Sequence, residues 1–334
     1  MGFGTVGRWL ASALDSHAER LARRYGIRVT VVGVANARDG FVYREEGLDL
    51  PSLLGGSIAE QQGARRWPSA LEGLRATEAD LLVEVTASPS TDGEPGFAHM
   101  CETLERGIPV VTSNKWPVAL HGVELVELAR RRGVAFRAES TVMSGTPVLS
   151  SLVGGLAGAA PIGLRGLLNA TANFILSRMA EGKPYEDALA EAQVAGLAER
   201  DPAADVEGGD TVAKVMVLSA LVFGRQLRRE QIAARGITDI SPSQIDHAHA
   251  TGGRIKHVAT LEPSGPDGVV ARVEPEIVPS DDPLATIEGT TNALVCRADP
   301  VGEVTIIGPG AGPQLAGQGV FSDLIAVGRS RAVD

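Results

Sequence analysis

MGFGTVGRWLASAL (Met1–Leu14) decides how the rest of the chain is read. Gly2, Gly4 and Gly7 stand in the spacing Gly-x-Gly-x-x-Gly, and a helical pattern follows them. Glycines so spaced make a tight turn, let a pyrophosphate approach the backbone, and let a helix pack closely on a strand. The helix then turns its free N–H groups toward the phosphates. The ligand expected at Gly2, Gly4, Thr5, Val6 and Gly7 is a dinucleotide, and the expected fold class is α/β with a Rossmann-type domain. The motif alone is a weak signal. It should also follow a strand, and none precedes Met1 in this sequence. Either the central strand is lacking and the phosphate loop is poorly anchored, or the natural chain starts further upstream; the second is expected.

Working outward, IRVTVVGVANARDG (Ile27–Gly40) is β-rich and reads as the second strand. An acid at its end would bind a ribose 2′-hydroxyl, but Asn36 stands there, with Arg38 two residues on. An uncharged residue with an arginine nearby tolerates a 2′-phosphate, so the reading leans toward NADP over NAD; the plain alternative is a solvated Arg38. Asp80–Thr86 is a further apolar strand ending in a Ser/Pro/Gly-rich loop, which places Thr86 and Ser88 beside the cofactor. Gly107–Leu120 repeats the layout and sets Asn114-Lys115 at the carboxyl end of a strand.

Composition narrows the class. A chain of 334 residues with 44% hydrophobic positions can bury the cores of about two domains. No apolar run reaches membrane-spanning length and no leader pattern appears, so a cytoplasmic protein is expected. The net charge of −10, without a basic patch, argues against a nucleic-acid partner. Cys101 and Cys296 are too few and too far apart for a disulfide framework or a zinc site. His247 and His249 form an incidental His-x-His pair.

The chemistry concentrates in AQVAGLAERDPAADVEGGDTVAK (Ala192–Lys214), where Glu199, Asp201, Asp205, Glu207 and Asp210 face only Arg200 and Lys214. Gly208-Gly209 breaks the backbone and Asp210 is expected to open the next helix as its N-cap. Lys214 follows one turn later, on the same face, among Val212, Ala213, Val215, Met216, Val217 and Leu218. A desolvated amine beside a carboxylate suits proton transfer and the gripping of a cationic substrate. The bland reading is an ordinary i,i+4 ion pair next to a solvated acidic loop, and for a lone pair it would prevail.

Ala192, Gly196, Leu197, Asp201-Pro202, Asp205, Gly208, Asp210 and Lys214 resemble the signature of the homoserine dehydrogenase family. By that resemblance Lys214 and Lys115 are the catalytic lysines, and Asp210 orients and tunes Lys214. Glu199 and Asp205 would bind the substrate's α-ammonium or hydroxyl. Asn169, Thr171 and Asn173 match the family's Asn-Gly-Thr-x-Asn, with Ala170 in place of the glycine, and Asn169 and Thr171 would meet the substrate carboxylate. Glu139, Val142, Gly145 and Pro147 resemble its Glu-x-x-Val-x-x-Gly-x-Pro loop, although the family more often has Gly-Gly at Met143-Ser144. In relatives the backbone oxygens of this loop can hold a monovalent cation; here Glu139, Val142, Ser144 and Thr146 would hold Na+ or K+. VTIIGPGAGPQLAGQGVFSDLIAVG is a strand, a glycine turn and a helix; the resemblance returns it to the nucleotide domain, with Gly310 and Gly312 closing over the cofactor, and Gln314-Leu315 departs from the usual residues.

The resemblance spans nearly the whole chain, with no aspartokinase portion before it and no regulatory domain after it. It implies a nucleotide-binding domain at 1–134, an α+β substrate and dimerisation domain at 135–303, and a returning segment at 304–334. The implied activity is NADP- or NAD-dependent interconversion of L-homoserine and L-aspartate 4-semialdehyde, in threonine, methionine and isoleucine biosynthesis. A homodimer is expected. Two rivals are a related semialdehyde dehydrogenase of the same fold and a non-catalytic NAD(P)-binding redox sensor.

Overall fold

The computed structural model describes residues 1–265 and 268–331. The chain forms two compact units, Met1–Gly145 joined by the segment from Gly312 onward, and Thr146–Ala311.

In the first unit α1 (Thr5–Ser16) starts directly after Gly4, and α2 (Ala18–Tyr25) ends at the left-handed Gly26. The run expected to form one long strand from Ile27 yields only β1 (Gly33–Asn36). Among its earlier residues, Val32 O accepts from Arg44 N (2.8 Å) and Val31 O from Leu48 N (2.8 Å). β1 turns into the antiparallel β2 (Gly40–Tyr43), with α3 (Leu50–Gly55), β3 (Arg65–Trp67) and α4 (Ala70–Ala76) following. A second three-stranded sheet is parallel throughout: β4 (Leu82–Glu84), β5 (Val110–Thr112) and β6 (Phe136–Arg137), in that order. The crossovers are α5 (Gly96–Glu105) and α6 (Lys115–Arg132), as parallel pairing requires.

Met1 and Gly2 lie between the two sheets. The Met1 nitrogen donates to Val83 O, Val85 N donates to Met1 O at 2.8 Å, and Gly2 N donates to Ala35 O at 3.0 Å. After β6 the chain makes α7 (Ser140–Met143).

The second unit opens on a π-helical turn, Ser150–Gly155, then β7 (Ala160–Leu167). Next come α8 (Ala170–Ala180), α9 (Tyr185–Val194), α10 (Ala203–Val206) and α11 (Gly209–Val222). The Asn169 side chain caps α8 by accepting from Ala172 N at 2.8 Å. Asp210 is not the N-cap of α11. Gly208, with φ +86°, occupies that position and makes the sharp entry, and the Asp210 carboxylate in the first turn meets Lys214 and Asn169 instead.

Thereafter β8 (Ile232–Ala234), α12 (Pro242–Ala250), β9 (Gly253–Ser264), β10 (Gly268–Pro279), β11 (Thr291–Asp299) and β12 (Gly302–Pro309) complete a six-stranded sheet of order β12-β11-β7-β9-β10-β8. α8, α11 and α12 pack on it. α11 buries nearly its whole length, Thr211 to Ala220, so Lys214 enters the core with its helix.

The last helix, α13 (Pro313–Arg331), belongs to the first unit. Its Val320, Phe321, Leu324 and Val327 close a core with Leu10 and Leu14 of α1, Leu21 of α2 and Val111 of β5. Among the described residues no helix is long and apolar enough to cross a membrane.

Candidate active site

In the nucleotide unit the glycines are set by contact. Gly2 has φ +86°, and a Cβ there would lie 2.6 Å from the Val85 backbone. A Cβ on Gly7 would lie 2.3 Å from Gly2 O, whereas nothing stands within 4 Å of one on Gly4. The start of α1 has no side-chain cap and no acidic residue in its first turn, so the N–H groups around Thr5 and Val6 remain for an anion. These residues fit the pyrophosphate of a dinucleotide.

Asn36 is committed to its own turn. Its Oδ1 accepts from Arg38 N (3.0 Å) and Asp39 N (2.6 Å), and its Nδ2 donates to Asp39 Oδ2 at 2.9 Å. Arg38 is exposed, while Asp39 is largely covered and also accepts from Ser57 Oγ at 3.4 Å. Sequence reasoning passed over Asp39, the carboxylate that the β1–β2 turn sets beside Asn36.

Thr86, Ser88 and Asn114 are brought together. Asn114 Nδ2 donates to Ser88 Oγ (2.7 Å) and Thr86 Oγ1 (3.3 Å), and Asn114 N donates to Thr112 Oγ1 at 2.9 Å. Beneath them lies Glu84, wholly buried at the end of β4; its Oε1 accepts from Thr86 N at 2.8 Å and from the Thr86 hydroxyl. Lys115 is the first residue of α6, with its Nζ 5.8 Å from the centre of the Trp116 ring. Gly312 has φ +125° at the entry to α13. Gly310 is buried in the second unit, where a Cβ would strike the Asn292 amide at 2.0 Å, so packing suffices to demand glycine there.

The candidate cation oxygens divide between the units. Glu139, Val142 and Ser144 flank and form α7, and Glu139 N donates to Asp323 Oδ2 at 2.9 Å. Ser144 takes φ +51° and ψ −109°, the only non-glycine with positive φ among the described residues. Thr146 lies in the second unit, where its Oγ1 donates to Pro309 O at 2.9 Å.

In the second unit one polar chain runs through the candidate catalytic residues. Lys214 Nζ donates to Leu168 O at 2.6 Å and pairs with Asp210 Oδ2 at 2.8 Å. Asn169 Nδ2 donates to Asp210 Oδ2 (3.1 Å) and Asp205 Oδ1 (2.7 Å). Burial pushes the Asp205 carboxyl above its ordinary value, and the neighbouring Asp210 charge adds to this against the Asn169 hydrogen bond and the Lys214 charge. Thr171 Oγ1 donates to Leu197 O at 2.8 Å, which ties α8 to the acidic loop. Glu199 is exposed and stands outside these hydrogen bonds; its carbonyl accepts from Gln193 Nε2 at 3.1 Å. Ala170 takes an ordinary helical place at the start of α8, so the substituted glycine costs no backbone strain. The Leu168 carbonyl was not foreseen, because a backbone oxygen leaves no mark on a sequence.

A bare helix N-terminus that fits a dinucleotide phosphate, and a buried amine with a carboxylate at its side, are what hydride-transferring chemistry asks of a protein. The class they define is the nicotinamide-nucleotide-dependent oxidoreductases.

Known proteins narrow the class. Residues 147–325 match the homoserine dehydrogenase family and residues 2–139 match its NAD-binding domain. The NAD(+)-dependent homoserine dehydrogenase of Pseudomonas canavaninivorans is 36% identical, over 99% of this chain and 95% of its own. The homoserine dehydrogenase of Methanocaldococcus jannaschii is 35% identical, over 98% and 97%. Among solved structures, a homoserine dehydrogenase from Thiobacillus denitrificans superposes with a TM-score of 0.82 at 32% identity, covering all of this chain and 73% of that one. A hyperthermophilic archaeal homoserine dehydrogenase in complex with NADPH gives 0.81 at 31% identity, covering 98% and 95%. The chain belongs to the homoserine dehydrogenase family.

Proposed function

We propose that the chain interconverts L-homoserine and L-aspartate 4-semialdehyde, with Lys214 as the proton donor and acceptor. The observation that carries this is the double anchoring of Lys214 Nζ, by Asp210 at 2.8 Å and Leu168 O at 2.6 Å. An ammonium has three N–H donors. Two are spent on these anchors and the third is left for a substrate oxygen.

When bound, the nicotinamide accepts or supplies the hydride. The rest falls to the chain. In the reducing direction the Lys214 ammonium hydrogen-bonds the aldehyde oxygen, stabilises its growing charge and gives it a proton. In the oxidising direction the neutral amine takes the hydroxyl proton. Asp210 aims the amine. Asp205, on the same hydrogen-bond chain, is placed to meet the α-ammonium of a zwitterion. Asn169 and Thr171 bear on its carboxylate, and Glu199 and Lys115 are held from the resemblance alone.

Arg38 favours NADP through its exposed guanidinium, while Asp39 supports NAD by repelling a 2′-phosphate, so these two neighbours set the preference. On the resemblance we assign Na+ or K+ to the backbone oxygens of Glu139, Val142, Ser144 and Thr146; activity titrated with each salt against choline chloride tests it. A homodimer is supported by Ile162, Val270, Ile277 and Ile307, each about half exposed on strands of the second unit. Sedimentation at several concentrations tests that assembly. Homoserine-dependent reduction of NADP and NAD, measured side by side, tests the activity; no reduction of either, with nucleotide still bound, would move the assignment to a redox sensor.

A further inference from the structure

The carboxylates of Asp205 and Asp210 come from different helices. Asp205 belongs to α10 and Asp210 to the first turn of α11, and Gly208 makes the turn between them. Asn169 Nδ2 donates to both carboxylates at once, at 2.7 and 3.1 Å. Their separation is therefore set by the shape of that turn.

The turn rests on His257 of β9. A Cβ on Gly208 would lie 3.1 Å from His257 Cε1 and 3.3 Å from its Nε2. The imidazole is buried, and its Nε2 lies 3.1 Å from Arg235 O. A carbonyl only accepts, so Nε2 carries the proton of this hydrogen bond. The segment that begins at Arg235 also holds the other side of the turn. Arg235 N donates to Val273 O and Ile237 N to Val206 O, each at 2.8 Å. A Cβ on Gly236 would lie 2.4 Å from Val206 O, and Val206 directly follows Asp205.

We propose that His257 is a positioning residue for the catalytic groups: its imidazole, set against Gly208 and tied to Arg235 O, fixes the separation of Asp205 and Asp210. The proposal rests on the reading of Lys214 as proton donor and acceptor. A second observation sets this ring apart from ordinary core packing. Its Nδ1 is buried and has no hydrogen-bond partner among the described residues. Burial also holds the ring below its ordinary pKa, against the hydrogen bond to Arg235 O. A buried nitrogen without a partner costs stability, and an aliphatic side chain would fill the same space without that cost. What the aliphatic chain lacks is the N–H that joins the turn at Gly208 to the segment holding Val206.

The test compares His257→Ala, which removes ring and donor, with His257→Gln, whose amide nitrogen can still donate to Arg235 O. His257→Ala is made both alone and together with Asp210→Asn. Alone it is expected to lower kcat by about tenfold or more, as a small misplacement of catalytic groups does, with nucleotide affinity within about twofold. His257→Gln should recover most of that loss. Beside Asp210→Asn, His257→Ala should cost about threefold or less, because the carboxylate it positions is already gone. A role in stability alone would give the same fractional loss in both backgrounds, and that result would overturn the proposal. So would an unchanged kcat in His257→Ala while Lys214→Ala is inactive. Full activity in Lys214→Ala would instead overturn the reading of Lys214, and the proposal with it. His257→Leu, which fills the space without a donor, carries the same comparison where His257→Ala does not fold.

Discussion

Glu84 Oε2 lies 2.8 Å from His99 Nδ1, and both side chains are almost completely shut off from solvent. Burial works against the Glu84 charge, but the His99 hydrogen bond, the positive charges of Met1 and His99, and the Thr86 hydroxyl outweigh it and hold the carboxyl below its ordinary value. The other carboxylate oxygen holds Thr86, and Thr86 is bonded to Asn114, the residue before Lys115. One buried pair thus ties together the carboxyl ends of β4 and β5. Glu84→Ala leaves His99 without its partner and is expected to cost about 3 kcal/mol of stability. Urea unfolding of the two proteins measures this; a loss below 0.5 kcal/mol, on the scale of an exposed pair, would show that the pair fixes nothing.

Lys214→Ala should abolish turnover while leaving nucleotide affinity within about twofold, because the Gly2–Gly7 turn expected to hold the pyrophosphate lies in the other unit. Asp210→Asn keeps a hydrogen-bond acceptor but removes the charge, and should lower kcat by roughly 10²-fold or more, in the range of general acid–base contributions. Steady-state rates with nucleotide titration check both. Full activity in Lys214→Ala would remove that lysine from the mechanism.

Cofactor choice should follow the Arg38–Asp39 pair. Arg38→Ala is expected to lower kcat/KM for NADP by about tenfold, the loss of one exposed charge-assisted contact worth about 1.4 kcal/mol. Asp39→Ala should move the NADP-to-NAD ratio the other way. If both variants leave the ratio unchanged, the 2′-position is read elsewhere.

Asp323 predicts a pH dependence. Burial raises its carboxyl to about 7, helped by the Glu139 charge and opposed by the hydrogen bond from Glu139 N and by Arg137. The folded chain therefore keeps a proton that the unfolded chain, with an ordinary carboxyl, has already lost. This contribution is fully present below about pH 4 and is lost as pH rises to about 7. Its upper bound is about 4 kcal/mol. Asp323→Asn, whose amide oxygen can still accept from Glu139 N, should flatten that slope. Urea midpoints at pH 5 and pH 7.5 measure it, and parallel slopes in the two proteins would refute the assignment.

Ser144 holds a backbone conformation with φ +51°, where glycine is at ease. Ser144→Gly should stabilise the chain by about 1 kcal/mol, read as an increase in the urea midpoint. A decrease would show that the side chain holds the turn despite its backbone.

What the sequence made legible was local and periodic. The glycine spacing at Met1–Gly7 and the signature from Ala192 to Lys214 pointed to the two regions where the structure has a helix start without a side-chain cap and a buried amine beside a carboxylate. Three things were not legible. Asp210 was assigned the cap because Asp is a good capping residue, yet Gly208 alone could take a φ of +86° at the turn. Glu84 was hidden inside an apolar run, although one acid in a buried strand is itself a sign of a fixed partner. The length of β1 depended on its pairing with β2, which no local pattern reports.

α13 lies near the end of the chain and closes the core formed by α1. A ribosome therefore makes the beginning of the nucleotide unit, then all of Thr146–Ala311, before it makes the helix that seals the first core. At ordinary rates of synthesis this interval lasts roughly ten to thirty seconds. During it Leu10, Leu14 and Leu21 stay uncovered on the nascent chain, and the second unit can fold as an uninterrupted segment. The order of completion thus runs opposite to the order of the sequence: the second unit can be finished first, and the first core is closed only once translation has reached Val327.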